Sequence, residues 1–256
     1  MTFPAPFRPF AEYAAAYQHV AIRRLDGIIE LRLHTGGGPL VWGDGPHTEL
    51  GYCFGDVARD PDNRVVILTG TGDSFCRRLD QSWVGEMTPA KWDKIYRHGR
   101  LLLSALLSIE VPVVAAINGP ASVHAELAVL ADIVLASDDA YLQDAPHFRY
   151  GTVPGDGAHA VWPLLLGMNR GREFLLTGRR ISAQEAERLG VVSEVVPRPE
   201  LSERAWQVAR QLADKPLLAL RYSRLALTRG LRELLPGSVE YGLALEGLAA
   251  YDSWPR

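Results

Sequence analysis

His147 and Asp156 stand nine residues apart and form a pairing suited to proton transfer. Imidazole titrates near neutrality, and a carboxylate on one ring nitrogen fixes the tautomer and stabilises the imidazolium. Gly151 and Pro154-Gly155 lie between them, so the loop can fold back and bring the two together. Each has a plainer reading as well. Asp156 precedes a helical run and suits an N-cap, and His147, judged by its neighbours alone, is an ordinary loop histidine.

Four further side chains carry usable chemistry. Trp42 offers an indole N–H, although a tryptophan is by default a core or interface aromatic. His124 is either a satisfied histidine beneath the helical stretch Ala121–Leu130 or a donor turned into a cleft at its start. His47 ends the glycine-rich interval Gly36–His47, where surface exposure is the default. Glu246 shares a helical face with Val239, Gly242, Leu243 and Ala249-Ala250. A carboxylate there is costly unless paired, and the alternative is a solvated place at the edge of the stripe. Glu126, in the apolar run Ala125–Leu130, reads as a buried structural carboxylate.

Other chemistries find no support. His19, His34, His98 and His159 do not form a metal-ligand spacing such as H-E-x-x-H and read as structural. Ser74 and Ser122 lack the G-x-S-x-G elbow of a serine hydrolase. Gly36-Gly37-Gly38 is not followed by Lys-Ser/Thr, so it is not a phosphate loop.

The elements that must position these groups alternate between strand and helix. Val20 to Leu33 reads as a hairpin turning on Asp26-Gly27. Three short β-branched runs, Val65–Leu68, Val113–Ile117 and Ile133–Ala136, read as buried strands of a sheet covered on both faces. Thr48–Ala58, Pro89–Ser108 and Ala121–Leu130 have helical spacing. Ser182-Ala-Gln-Glu185 is a capping box before a last strand within Val191–Val196. Residues Pro199–Ala250 carry no strand signal and read as three helices punctuated by Pro216, Gly230 and Pro236-Gly237. Residues 1–16 look like an arm that needs a partner surface to order. The alternation predicts an α/β fold with parallel pairing, divided at about residue 198 into a core (1–198) and a helical C-terminal region (199–256).

With 256 residues, of which 47% are hydrophobic, the chain can bury a substantial core. The formal net charge of −3 comes from mixed signs without like-charge blocks. That balance argues against a nucleic-acid footprint or a polybasic membrane patch. The most apolar stretch, Leu101–Ile117, is interrupted by Ser104, Ser108, Glu110 and Pro112 and does not span a bilayer. Cys53 and Cys76 match no zinc or redox spacing. The first residues lack the pattern of a signal peptide, so a reducing cytoplasm is expected.

Three segments taken together resemble the crotonase (enoyl-CoA hydratase/isomerase) superfamily: RVVILTGTGDSFCRRLD (Arg64–Asp80), VPVVAAINGPASVHAELAVLADIVLAS (Val111–Ser137) and QDAPHFRYGTVPGDGAHAVWPLLLG (Gln143–Gly167). The resemblance implies the crotonase-like ββα spiral, with two roughly perpendicular sheets and helices of the C-terminal region packing on the core and on neighbouring subunits. Coenzyme-A-using members keep small residues in two oxyanion-hole segments, because a thioester oxygen must approach two backbone N–H groups. Here those segments read Cys76-Arg77-Arg78-Leu79-Asp80 and Pro120-Ala121-Ser122-Val123-His124-Ala125. Of the two glutamates that enoyl-CoA hydratases use, one aligns near Glu126, and His147 occupies the place of the other.

Within the superfamily the chain is similar to the β-diketone hydrolase branch typified by 6-oxocamphor hydrolase. The similarity rests on Val41-Trp42 with His47, Gly119-Pro120 with His124, Pro146-His147-Phe148, the run Pro154–His159, and EGLAAYD at Glu246–Asp252. Arg77-Arg78 departs from that branch and leaves the natural substrate open. The branch implies hydrolysis of a carbon–carbon bond of a cyclic or bicyclic β-diketone, giving a keto acid without metal or cofactor. It implies a base/acid role for His147 and Asp156, carbonyl donation by Trp42 and His124, and water activated either through His147–Asp156 or through Glu246–His47. The expected partners are a small cyclic β-diketone and copies of the same chain, as a trimer or dimer of trimers, with no nucleic acid and no membrane. Two rival readings are an enoyl-CoA hydratase/isomerase-type enzyme acting on an acyl-CoA, and a non-catalytic scaffold or RNA-binding protein of the same fold.

Overall fold

The structure, a computed structural model that describes residues 7–83 and 85–253, begins with a short helix, α1 (Phe10–Tyr13), and the expected hairpin of β1 (Val20–Leu25) and β2 (Ile28–Leu33). Asp26 and Gly27 both have positive φ, 51° and 77°, the geometry a two-residue hairpin turn demands. Residues 1–6 of the expected arm lie outside the described residues. The rest of it contacts its own chain: Arg8 donates to Asp56 at 3.1 Å and Tyr13 to Asp60 at 2.6 Å.

Strand β3 (Val41–Trp42) leads into α2 (Asp44–Arg59). That helix begins four residues earlier than its apolar spacing suggests, because Pro46 is tolerated in a first turn whose N–H groups need no intrahelical partner. Next come β4 (Val65–Gly70), β5 (Arg78–Leu79), α3 (Pro89–Ser108) and β6 (Val113–Ile117), followed by α4, β7 (Ile133–Ser137) and β8 (Tyr141–Leu142). Helix α4 covers only Glu126–Val129, since His124 takes a positive φ of 49° and interrupts the stretch that was expected to be helical from Ala121. The second half holds α5 (Ala158–Leu166), α6 (Met168–Thr177), β9 (Ile181–Ser182), α7 (Ala183–Arg188) and β10 (Glu194–Val196). Ser182 accepts from the Glu185 amide, as the capping box requires. Three helices close the described chain: α8 (Arg198–Ala213), α9 (Leu217–Leu227) and α10 (Arg229–Ser253). Pro216 precedes α9 as expected, whereas Gly230 and Pro236-Gly237 lie inside α10.

Six strands form the main sheet in the order β1-β2-β4-β6-β7-β10, parallel except for the hairpin. Alternate residues face two separate cores, which is why these strands read as unbroken apolar runs. Ile28, Val65, Ile67, Val114 and Leu135 pack with Leu201, Ala205 and Trp206 of α8. Ile29, Leu31, Val66, Leu68, Ala115 and Ile117 face the larger core that contains α2 and α3. A second layer of short pairings, β3 with β5 and β8 with β9, is linked through bridges from Cys76 to Ala121 and from Ala121 to Leu142. Among the described residues, no helix is long and apolar enough to cross a membrane.

Candidate active site

Between the second layer and the helices lies a cavity of about 490 Å³. Beside Arg77 and Gln81, five elements supply polar groups to its lining. Strand β3 carries Trp42, the first turn of α2 carries His47, and the turn before α4 carries His124. The segment between β8 and α5 supplies His147, Thr152 and Asp156, and α10 supplies Glu246. All six residues picked out in the sequence therefore meet in one cavity. His47 and Glu246, for which exposed positions stood as the plain alternatives, are 4% and 7% exposed.

Backbone geometry explains the convergence. The positive φ of His124 turns its ring toward Trp42, with centroids 3.8 Å apart. Glu246 follows Val239 and Leu243 on one buried stripe of α10. Helix α10 comes close to the site loop because two glycines meet: a Cβ on Gly155 would stand 2.2 Å from the Gly242 carbonyl oxygen, and one on Gly242 would stand 2.2 Å from that of Gly155. The His159 ring lies between the carbonyls of Pro154 and Ser238 and ties the same loop to α10, the structural place expected for it.

Asp156 is the hub. Its Oδ2 lies 3.1 Å from His124 Nδ1 and 3.5 Å from His147 Nε2. Its Oδ1 accepts from the Ala158 amide at 3.3 Å, but the N-cap of α5 is Gly157, so Asp156 stands one residue before the cap position expected for it. The carboxylate on Nδ1 of His147 is a different one, Asp144 Oδ1 at 2.6 Å. Glu246 Oε1 is 3.7 Å from Nε2 of the same ring. Glu126, read as a structural carboxylate, is buried but engaged: its Oε1 lies 2.5 Å from His124 Nδ1. Asp144 could have been suspected from its place three residues before His147; Thr152 has no signal of its own in the sequence.

Burial alone would lower both histidine pKa values, yet nearby carboxylates reverse the direction. Glu126 and Asp156 hold His124 above the usual imidazole value, and Asp144 and Asp156 hold His147 well above it. Burial works against ionisation of Asp156, but His147 and His124 keep its pKa below the ordinary carboxylate value. Burial pushes Glu246 up to about 8 despite His147, and burial pushes His47 down to about 4 despite its bond to the Ile95 carbonyl. These shifts favour the charged forms of both rings and of Asp156 and the protonated form of Glu246.

Four polar atoms of lining residues are buried without a hydrogen-bond partner among the described residues: Trp42 Nε1, His47 Nδ1, Thr152 Oγ1 and Glu246 Oε2. His47 Nε2–H donates to the Ile95 carbonyl at 3.0 Å, which leaves Nδ1 as an acceptor. Such orphans are costly unless a ligand satisfies them. Ligand-type atoms of His124, Glu126 and Asp156 lie within 4.8 Å of one another, close enough to chelate a cation, but the contacts just described already engage them. Arg77 lines the cavity from an exposed position and pairs with Asp73 at 3.0 Å; Arg78 is exposed and is not among the lining residues.

The two segments that correspond to an oxyanion hole in coenzyme-A enzymes are stitched together. The amides of Ser122 and Val123 both donate to the Cys76 carbonyl, at 2.8 and 3.1 Å. Glu126 does not line the cavity; His124 does.

Residues 44–245 match the family described as enoyl-CoA hydratase/isomerase. A short-chain-enoyl-CoA hydratase of Clostridium acetobutylicum is 33% identical over 72% of this chain and 71% of its own length. A carnitinyl-CoA dehydratase of Proteus mirabilis is 35% identical over 81% of this chain and 78% of its own. Among solved structures, a β-diketone hydrolase from the cyanobacterium Anabaena sp. PCC 7120, bound to (S)-3-oxocyclohexyl acetic acid, superposes with a TM-score of 0.93. It is 48% identical, covering 96% of this chain and 98% of that one. An enoyl-CoA hydratase/isomerase from Mycobacterium paratuberculosis gives a TM-score of 0.85 at 29% identity, covering 91% and 94%.

Proposed function

Because this chain belongs to the enoyl-CoA hydratase/isomerase (crotonase) family, we propose that it uses that fold to hydrolyse a carbon–carbon bond of a cyclic or bicyclic β-diketone. The observation that carries this reading is the placement of Asp156 between the rings of His124 and His147 in one cavity. The likeness to a β-diketone hydrolase at 48% identity supports it. The stitched oxyanion segments favour it over thioester chemistry, since an acyl-CoA oxygen would find the Ser122 and Val123 amides already donating.

The chemistry runs as a retro-Claisen hydrolysis. Water adds to one carbonyl and gives a proton to Asp156, the site's ionised carboxylate. One water oxygen can bridge the 3.5 and 3.7 Å gaps that separate His147 Nε2 from Asp156 and Glu246. Trp42 N–H and His124 Nε2–H hold the oxygen that becomes negative. Collapse breaks the carbon–carbon bond, leaving a carboxylic acid and an enolate whose carbon takes the proton from His147 Nε2. The proton on Asp156 then passes to His147. Water is consumed, and a keto acid leaves.

Exposed apolar side chains on α9 and α10, among them Leu218, Tyr222, Leu227, Tyr241 and Leu248, support the trimer or dimer of trimers expected from the family. A cytoplasmic location suits the two buried free cysteines, Cys53 and Cys76.

The deciding experiment incubates the protein with a panel of cyclic 1,3-diketones, follows loss of substrate absorbance and identifies the acid formed. Calorimetric titration with acyl-CoA runs beside it. Keto-acid formation is the expected result; micromolar acyl-CoA binding with no diketone turnover would overturn the reading.

A further inference from the structure

Arg77 and Arg78 are neighbours, yet only Arg77 lines the cavity. Arg77, Leu79 and Gln81 face it while Arg78 and Asp80 do not, the alternation that extended backbone imposes on successive side chains. The register of β5 holds this arrangement, with Arg78 opposite Val41 and Leu79 opposite Trp42. Immediately before it, the Cys76 carbonyl is fixed by the amides of Ser122 and Val123. The backbone of Arg77 is thus anchored to the core, while its side chain is 38% exposed. Gln81 and Tyr150 are exposed lining residues as well, and the three mark the mouth of the cavity.

The guanidinium is available there. Among the described lining residues Arg77 is the one arginine, and there is no lysine. Its partner Asp73 stands outside the lining, and the contact engages one terminal nitrogen, Nη2, at 3.0 Å. Such a solvated pair is weak and exchangeable, and the remaining N–H groups suit two oxygens of one carboxylate. The lining carboxylates Asp156 and Glu246 are buried beside His147. The acid released by cleavage also forms at that buried end, so Arg77 answers to a group the substrate already carries at its other end. A cavity of about 490 Å³ is in the range that takes drug-sized ligands, which leaves a bare bicyclic dione room for a substituent.

We propose that Arg77 forms a carboxylate subsite at the cavity mouth, so that the substrate is a cyclic β-diketone bearing a carboxylate on the side of the ring remote from its two carbonyls. The proposal rests on the diketone reading above and is tested so that the two can fail separately. Hydrolysis of a bicyclic 1,3-diketone carrying a remote carboxymethyl group is compared with that of its methyl ester, for the wild type, Arg77→Met, Arg77→Lys and Arg78→Met. The corresponding monoketone acid and ester, which cannot undergo the cleavage, are titrated calorimetrically into the same proteins, and coenzyme A is titrated beside them.

The expected result is a kcat/KM about 10-fold higher for the acid than for the ester in the wild type, the low end for a charge-assisted hydrogen bond at a partly solvated group. Arg77→Met loses that preference through KM rather than kcat, Arg77→Lys keeps part of it, and Arg78→Met keeps all of it. The monoketone acid shows the same order of binding preference. A wild type that hydrolyses diketones but treats acid and ester alike, or a preference that survives Arg77→Met, overturns the proposal and leaves the diketone reading standing. Coenzyme A binding that disappears with Arg77→Met would reassign the subsite to a phosphate and overturn the proposal. A wild type that cleaves neither diketone but binds the monoketone acid in preference, through Arg77, overturns the diketone reading and supports the subsite. A wild type with neither activity nor preference overturns both.

Discussion

Glu126 Oε1 lies 2.5 Å from Nδ1 of His124, with both side chains almost entirely shielded from solvent. This contact turns the carboxylate away from the cavity lining and leaves Nε2 as the nitrogen that His124 offers to a ligand. A glutamate at the position hydratases use thus becomes a support for a histidine.

Replacing that support has a directional consequence. With Glu126→Gln, His124 loses a negative partner and titrates at lower pH than in the wild type, where Glu126 and Asp156 outweigh burial. The alkaline limb of the kcat profile moves to lower pH. At neutral pH, kcat drops about 10- to 100-fold, matching the loss of a charge-assisted hydrogen bond of about 1.5–3 kcal/mol. Steady-state kinetics across pH would reveal it; an unmoved limb would show that Glu126 only fills space.

His147→Ala and Asp156→Asn each lower kcat by at least about 10²-fold, the typical contribution of a positioned acid or base. Retention of kcat within a few-fold in both variants would eliminate the proposed proton path.

Glu246 keeps its proton up to about pH 8 in the fold, against an ordinary value of 4.5. Burial is the main cause; His147 pulls the value down and Asp156 pushes it back up. Between pH 4.5 and about 8 the unfolded chain has released this proton while the fold still holds it, so raising the pH through that window lowers stability. Glu246→Gln removes that penalty. Its Tm matches the wild type at pH 4 and exceeds it at pH 8, and calorimetric scans at both values would expose any failure of this pattern.

Trp42→Phe separates stability from catalysis. Trp42 is fully buried with an unpartnered N–H, and an unsatisfied buried donor costs about 1–3 kcal/mol. Removing it offsets the packing lost with the smaller ring, so Tm changes by only a few degrees. If the indole N–H serves the oxyanion, kcat falls about 10²–10³-fold; unchanged turnover would remove Trp42 from that role.

Gly242→Ala tests how α10 reaches the site. The added Cβ would meet the Gly155 carbonyl at 2.2 Å, an overpacking that costs about 1–3 kcal/mol. Both Tm and kcat should fall. Gly237→Ala, on the same helix with nothing within 4 Å of the added carbon, serves as the control and gains about 0.5–1 kcal/mol. Equal effects at the two positions would contradict the close approach.

Much of this protein was legible before folding was considered. The Asp26-Gly27 turn, the β-branched strands and the Ser182 cap are local signals, because each depends on the φ/ψ preference or burial of residues close in sequence. The six candidate residues could be named from the motifs that contain them. What the motifs leave open is which groups touch. Asp144, not Asp156, holds Nδ1 of His147, Glu126 binds His124, and Glu246 arrives on a helix docked through Gly155 and Gly242. The short α4 and the left-handed His124 also depart from the helical spacing of their segment. Periodicity reports which face of an element is buried, but contact between side chains far apart in the chain is set by how close the backbones can come, and the tertiary packing alone decides that.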